Sequence, residues 1–221
     1  DFPLRKLGWW SKCTPEENLW NLRMGVNHGT DLIGITQLCH GAKFVLMRDE
    51  MKEAHPEYYV LWGGKREGAP CLSSEGFFPD PLTSARAVFD HYPEPMISID
   101  TPDGYSRGVC QCALCKGEGD PERGWSGFMS NYVHGYMNRV AGELLESHPD
   151  RMVSILSYGA YKLPPTRIDK FLPNVALWMC QSRKTFYDQQ AHAEALQLRK
   201  AWLEKLPSGQ VFIYDYYMSS R

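Results

Sequence analysis

Apolar positions recur every four residues from Phe128 to Leu145. Phe128, Tyr132, Tyr136, Val140 and Leu144 share one face, which predicts an amphipathic helix that stops at His148-Pro149. Leu196, Leu198, Trp202 and Leu206 mark a second helix over Ala191–Leu206, and Pro81 opens a third in its first turn, with Ala85, Val88 and Phe89 facing inward. Between these helices the chain carries short apolar runs with no polar alternation: Met96–Ile99, Met152–Leu156, Val175–Met179 and Val211–Tyr214. Such runs predict buried strands. Tyr58–Trp62 reads as a further strand, Gly63-Gly64 as a turn, and a second short strand follows near Cys71. Thr14–Val26 reads as a short helix entering a strand, and Phe44–Glu53 is amphipathic. A long Gly-rich loop spans Thr101–Trp125, and Pro164-Pro165 punctuates another loop.

Strand, helix, strand, loop, strand, helix, strand is the order of an α/β fold with a parallel sheet. A doubly wound sheet and a (β/α)8 TIM-type barrel both fit. No G-x-G-x-x-G or Walker pattern follows a strand, so nucleotide binding has no support. Polar and aromatic residues cluster just after the strands: Asp100 and Asp103, Tyr158 and Tyr161, Cys180 to Arg183, and Asp215 to Tyr217. In a barrel these positions lie on the C-terminal rim, where sites are built. A complete barrel takes about 250 residues. The expectation is therefore a single barrel domain over 1–221, incomplete at one or both ends. The start at Asp1 and the stop just after the β-rich QVFIYDYY also read as a fragment of a longer protein, and the first ten residues lack the apolar core of a signal peptide.

Charge narrows the function classes. Lys+Arg is 24 against Asp+Glu 26, so no basic excess exists to neutralise a phosphate backbone, and a dedicated nucleic-acid binder is disfavoured. No apolar run approaches the roughly 18 residues of a membrane helix. Aromatic content is high at 13%, with 7 Trp and 12 Tyr, enough to line a site as well as a core.

Several groupings can carry chemistry. In ISIDTPDGY, residues 97–105, two carboxylates follow a strand directly. Glycoside hydrolysis needs one carboxyl to donate a proton and another to attack or stabilise the sugar cation. The same Asp-Thr-Pro-Asp-Gly is also good turn chemistry. Asp215 is a third rim candidate. Cys110, Cys112 and Cys115 can converge on one structural zinc if Cys71 or a histidine adds a fourth ligand, or they can form disulfides. Either way the cluster staples the long loop. Trp62, Tyr105, Trp125, Tyr158, Tyr161, Trp178, Tyr216 and Tyr217 sit at loops and strand ends. There they suit sugar faces, or else fill the core. His28 and His40 follow candidate strands and can face a site. No zincin helix and no Gly-x-Ser-x-Gly elbow is present.

Taken together, HPEYYVLWGGKREG with CLSS after it, ISIDTPDGY leading into CQCALC, FMSNYVHGYMNRVAGELLESHPD, VSILSYGAYKLPP, NVALWMC and VFIYDYY resemble in order and spacing a bacterial family, domain of unknown function 4838. The resemblance runs from about Trp20 to the C-terminus. It implies a (β/α)8 glycosidase-like barrel, and some members form glycoside hydrolase family 163, endo-β-N-acetylglucosaminidases acting on complex N-glycans. Such enzymes use the substrate's acetamido group as nucleophile, with one carboxylate orienting it and another protonating the leaving oxygen. On this resemblance Asp103 takes the family's Asp-Gly turn, His40 falls near a rim histidine, and Tyr158 and Tyr161 fall near the Ala-Tyr position. Pro102 stands where the family has Asn, and Gly104 follows Asp103, so no adjacent Asp-Glu pair is present.

Three readings follow. The first is a glycoside hydrolase acting on a glycan chain. Asp103 and Asp100 are its catalytic carboxylates, and His40, Tyr158, Tyr161, Trp178 and Asp215 contact substrate. It needs no metal for catalysis, and zinc is at most structural. The second is a non-catalytic glycan-binding barrel. The third is a zinc-dependent hydrolase centred on the cysteines. Family resemblance and cysteine usage point to a secreted or periplasmic parent.

Overall fold

The computed structural model describes residues 23, 40–41, 49–105 and 107–216. The chain divides into two compact units, 1–37 and 38–221. The structure described below is that of the second. The expectations for Thr14–Val26 (residue 23 apart), for His28, for the 44–48 part of the Phe44–Glu53 stretch and for Tyr217 lie outside the described residues.

A hairpin comes first. Strands β1 (Tyr59–Trp62) and β2 (Lys65–Pro70) pair antiparallel, with Trp62 opposite Lys65. The two residues between them, Gly63 and Gly64, have φ of 54° and 78°. A two-residue turn with both φ positive is the hairpin turn that matches strand twist, and glycine adopts it without a Cβ penalty. Helix α1 (Pro79–His91) starts two residues earlier than Pro81 and buries Leu82, Ala85 and Phe89. Pro93 and Pro95 follow it and prevent its continuation.

Strands β3 (Met96–Ser98), β4 (Met152–Ser157), β5 (Val175–Ser182) and β6 (Val211–Tyr216) form one sheet, all parallel, side by side in chain order. Ile97 pairs with Val153 and Val153 with Val175; Leu156 pairs with Trp178 and Trp178 with Phe212. The α/β expectation with a parallel sheet is met. The sheet is open, and among the described residues no barrel closes.

Helix α2 (Ser130–Ser147) connects β3 to β4. Its stripe of Tyr132, Val133, Tyr136, Met137, Val140, Ala141 and Leu144 is buried. Phe128 falls two residues before its first residue and is only half-buried, so the apolar period begins ahead of the helix. Helix α3 (Gln189–Leu203) connects β5 to β6 and is capped by Asp188, whose Oδ1 accepts the Ala191 N–H at 2.9 Å. Its packing differs from the expected four-residue stripe. Trp202 is fully buried, Leu196 is 47% exposed, and Leu206 is buried beyond the helix end. One large side chain anchors this helix. The Trp202 indole N–H donates to the Lys162 carbonyl at 3.0 Å, and its ring meets the His134 ring edge-on at 4.9 Å. His134 is itself fully buried and donates from Nε2 to the Tyr161 carbonyl at 2.8 Å. Burial lowers its pKa to about 4, which keeps the ring neutral. No helix among the described residues is long and apolar enough to cross a membrane.

Candidate functional site

Parallel strands deliver their C-terminal ends to one side of a sheet, so residues just past β3, β4 and β5 share that side. Past β3 the chain runs Ile99, Asp100, Thr101, Pro102, Asp103, Gly104. Its two carboxylates take opposite environments. Asp100 has no exposed surface. Its Oδ1 accepts the Leu156 N–H of β4 at 2.6 Å, and its Oδ2 accepts the Ser98 hydroxyl at 3.0 Å. Desolvation raises its pKa to about 8 against the opposing pull of these two donors. Asp100 thus clips β3 to β4 beneath the rim. Asp103 is turned outward, with its side chain 65% exposed.

Two side chains from distant parts of the sequence meet Asp103. The Tyr158 hydroxyl, just past β4, donates to Asp103 Oδ1 at 3.2 Å. His40 brings its Nε2 to 3.9 Å from the same oxygen. Its ring lies 6.3 Å from that of Tyr158, tilted 66°. Nδ1 of His40 is 2.8 Å from the Thr101 carbonyl, which can only accept, so Nδ1 carries a proton and Nε2 is the nitrogen presented to Asp103. His40 has φ 61°, in the left-handed region that side chains other than glycine enter at a cost. Such strain is held by the surrounding contacts and concentrates at functional positions. Part of the hold is visible next door: the Gly41 N–H donates to Ser98 Oγ at 3.2 Å, and a Cβ on Gly41 would fall 1.9 Å from the Ser98 carbonyl oxygen.

The other expected site residues separate from this trio. Tyr161 is buried beneath Tyr158, with ring centroids 6.2 Å apart, and its hydroxyl accepts that of Thr101 at 3.3 Å. Trp178 is buried within the sheet and stacks on Phe212 at 4.8 Å. Asp215 lies in β6, opposite Gln181. Beside Tyr158, a depression is lined by Ser157, Gly159, Lys162, Cys180, Gln181 and Ser182. Lys162 and Ser98 belong to this neighbourhood and carry no sequence signal of their own. Ser98 sits inside an apolar strand, and Lys162 reads as an ordinary loop cation.

A second constellation lies along the long loop. Cys71 follows β2 directly, and Cys110, Cys112 and Cys115 come from the loop, the last ending a short 3₁₀ turn at Ala113–Cys115. All four sulfurs lie within 4.8 Å of one another, positioned to bind a metal ion. Cys71 to Cys112 is 3.7 Å, Cys71 to Cys115 is 3.5 Å, and Cys112 to Cys115 is 3.6 Å. A disulfide brings sulfurs to about 2.05 Å, and these cysteines are free. Of the two expectations for the cluster, the convergent arrangement is the one present, with Cys71 as the fourth sulfur. Hydrogen bonds, that from Cys71 foremost, pull the Cys115 thiol down to about 5, while the same Cys115 contact pushes Cys71 up. Four crowded thiols cannot all ionise without a cation among them.

The chain belongs to the family described as domain of unknown function (DUF4838), whose model matches residues 1–219. No curated protein and no solved structure matches it.

Proposed function

We propose that this chain is a glycoside hydrolase domain of (β/α)8 type that acts on glycans carrying acetamido sugars, with its site at the C-terminal ends of the parallel strands. The observation that carries the reading is the convergence of His40, Asp103 and Tyr158 at the rim from three separate stretches of sequence. In this reading Asp103 orients the substrate's acetamide or works as acid/base, and the Tyr158 hydroxyl holds its carboxylate. Nε2 of His40, the nitrogen that faces Asp103, is placed to exchange a proton with Asp103 or with the leaving oxygen. Asp100 supports the site from below, since a fully buried carboxyl locked to Leu156 and Ser98 cannot reach a sugar. Tyr161 and Trp178 brace the floor, and Asp215, on β6 two strands beyond Tyr158, is the outlying candidate for substrate contact. The glycosidic chemistry needs no metal, so the cysteine cluster is structural. An extracytoplasmic setting suits a glycan substrate.

One observation favours a second reading, a non-catalytic glycan-binding barrel. Of the two carboxylates past β3, only Asp103 is exposed, whereas hydrolysis by two side-chain carboxyls needs both facing the substrate. The intact protein and its Asp103→Asn variant, incubated with labelled complex N-glycans and other acetamido-sugar polymers, separate the two. Cleavage by the parent and its loss in the variant supports the hydrolase. Glycan binding with no cleavage supports the binding barrel. Cleavage that survives the substitution keeps the enzyme class and removes Asp103 from its mechanism.

A further inference from the structure

Four sulfurs held about 2.3 Å from one centre at the corners of a tetrahedron stand about 3.8 Å apart. The Cys71–Cys112, Cys71–Cys115 and Cys112–Cys115 separations of 3.7, 3.5 and 3.6 Å lie close to that edge length, and Cys110 completes the set. The surroundings provide what thiolates require. The Leu61 N–H points at Cys110 Sγ at 3.2 Å. The Tyr132 hydroxyl accepts the Leu72 N–H at 3.0 Å, which leaves its own proton for Cys115 Sγ at 3.3 Å. Arg66 lines the opening beside Cys71 and Cys112 and supplies positive charge next to a cluster that becomes anionic on metallation. Donors aimed at ligand atoms of this kind orient the ligands and tune a metal site.

We propose that Cys71, Cys110, Cys112 and Cys115 bind one zinc ion in a closed tetrahedral site, and that Cys71 makes this ion a cross-link between the β1–β2 hairpin and the loop that carries Asp103. Four sulfur ligands leave no coordination position for water, which makes the site structural. Binding displaces the protons still held on the thiols into solvent.

The cross-link reinforces an existing lacing. The Trp62 indole N–H donates to the Gly108 carbonyl at 3.0 Å, and the Gln111 N–H donates to the Leu61 carbonyl at 2.8 Å. The Gly63 N–H donates to Gln111 Oε1 at 2.8 Å, and the Tyr105 hydroxyl donates to the Pro70 carbonyl at 2.8 Å. Tyr105 is only two residues past Asp103 and is buried beneath the hairpin. Zinc therefore fixes the base of the segment from which Asp103 projects. This inference is independent of the glycosidase reading, because metal content and spectra test it without any substrate.

The experiment uses the intact protein, stripped of metal under reducing, oxygen-free conditions and titrated first with Co²⁺ and then with Zn²⁺. The expected result is one metal per chain. The cobalt form should show the intense visible bands of a tetrahedral tetrathiolate together with thiolate charge transfer, and zinc should abolish both. Zinc-loaded protein should protect Cys71, Cys110, Cys112 and Cys115 from alkylation and leave Cys180 accessible to it, as mapped on peptides. Cys71→Ser should shift the cobalt bands and weaken zinc by about a hundredfold or more, beyond what loss of an outer-shell partner costs. Cys180→Ser should change neither. A stoichiometry well below one, an octahedral or five-coordinate cobalt spectrum, or a Cys71→Ser spectrum identical to the parent's overturns the proposal. If Cys71→Ser does not fold, the parent's cobalt spectrum and alkylation map decide alone.

Discussion

Asp100 makes a pH prediction of definite sign. In an unfolded chain its carboxyl ionises above about pH 4, but the fold keeps it protonated until about pH 8. Between those limits the native state holds a proton that the unfolded state lacks. Each rise of one pH unit therefore costs the fold about 1.4 kcal/mol from this group. Asp100→Asn keeps the shape and removes the titration. The stability of the variant minus that of the parent should climb by about 3 kcal/mol between about pH 5 and pH 7. Other titrating groups drop out of this difference. His134, held down to about 4, favours folding at neutral pH and loses that contribution as pH falls, but it does so in both proteins. The assay is equilibrium urea unfolding of both chains at three pH values, with the same zinc and reductant throughout. A stability difference that stays constant with pH would refute the reasoning. It would mean that the Leu156 N–H and the Ser98 hydroxyl outweigh desolvation and that Asp100 is a buried carboxylate.

Three further outcomes follow from packing and backbone geometry, each read by urea unfolding. Leu144→Ala opens a cavity under the buried face of α2 and should cost about 2–5 kcal/mol, while Glu146→Ala on its exposed face should stay within about 0.5 kcal/mol. Gly119→Ala places a Cβ 2.5 Å from Cζ of Phe128. It should cost about 1–3 kcal/mol, part of which Phe128→Leu in the same chain should restore. His40→Gly should be more stable than His40→Ala by about 1 kcal/mol, because only the glycine adopts a φ of 61° freely.

The two inner parallel strands, β4 and β5, were legible in the sequence for a physical reason. Strands covered on both faces become uninterrupted apolar runs, and Met152–Leu156 and Val175–Met179 are such runs. The stripe of α2 was legible because a long helix repeats its period often enough to be unmistakable. The face of α3 was not. A single buried Trp202 anchors it, so Leu196 and Leu203 stay exposed despite their apolar character. At the rim, Asp103 and Tyr158 could be named from their places after strands, and His40 from the apolar pattern of the sequence before it. The division of labour between Asp100 and Asp103 could not, because it depends on which main-chain N–H of β4 lies across from Asp100, a matter of register. Trp178 looked like a rim aromatic, but its pairing with Leu156 and Phe212 puts it inside the sheet. The role of Cys71 needed the hairpin turn at Gly63-Gly64, which folds β2 back so that the residue just past it reaches the loop.

The order of the strands bears on how the chain is made. Because β3, β4, β5 and β6 lie side by side in the order in which they are translated, each emerging strand finds its partner already in place. Nothing downstream is needed to complete a pair, and each addition closes only the connection just synthesised, a modest entropic cost. The sheet can therefore grow on the ribosome at one advancing edge. At every stage the newest strand shows its unpaired N–H and C=O groups, the template on which chains mispair with each other. The longest such edge is the eight-residue β5, which waits for β6 while α3 is being translated. That interval is where a pause in elongation would leave the chain most exposed to a neighbouring nascent chain on the same message.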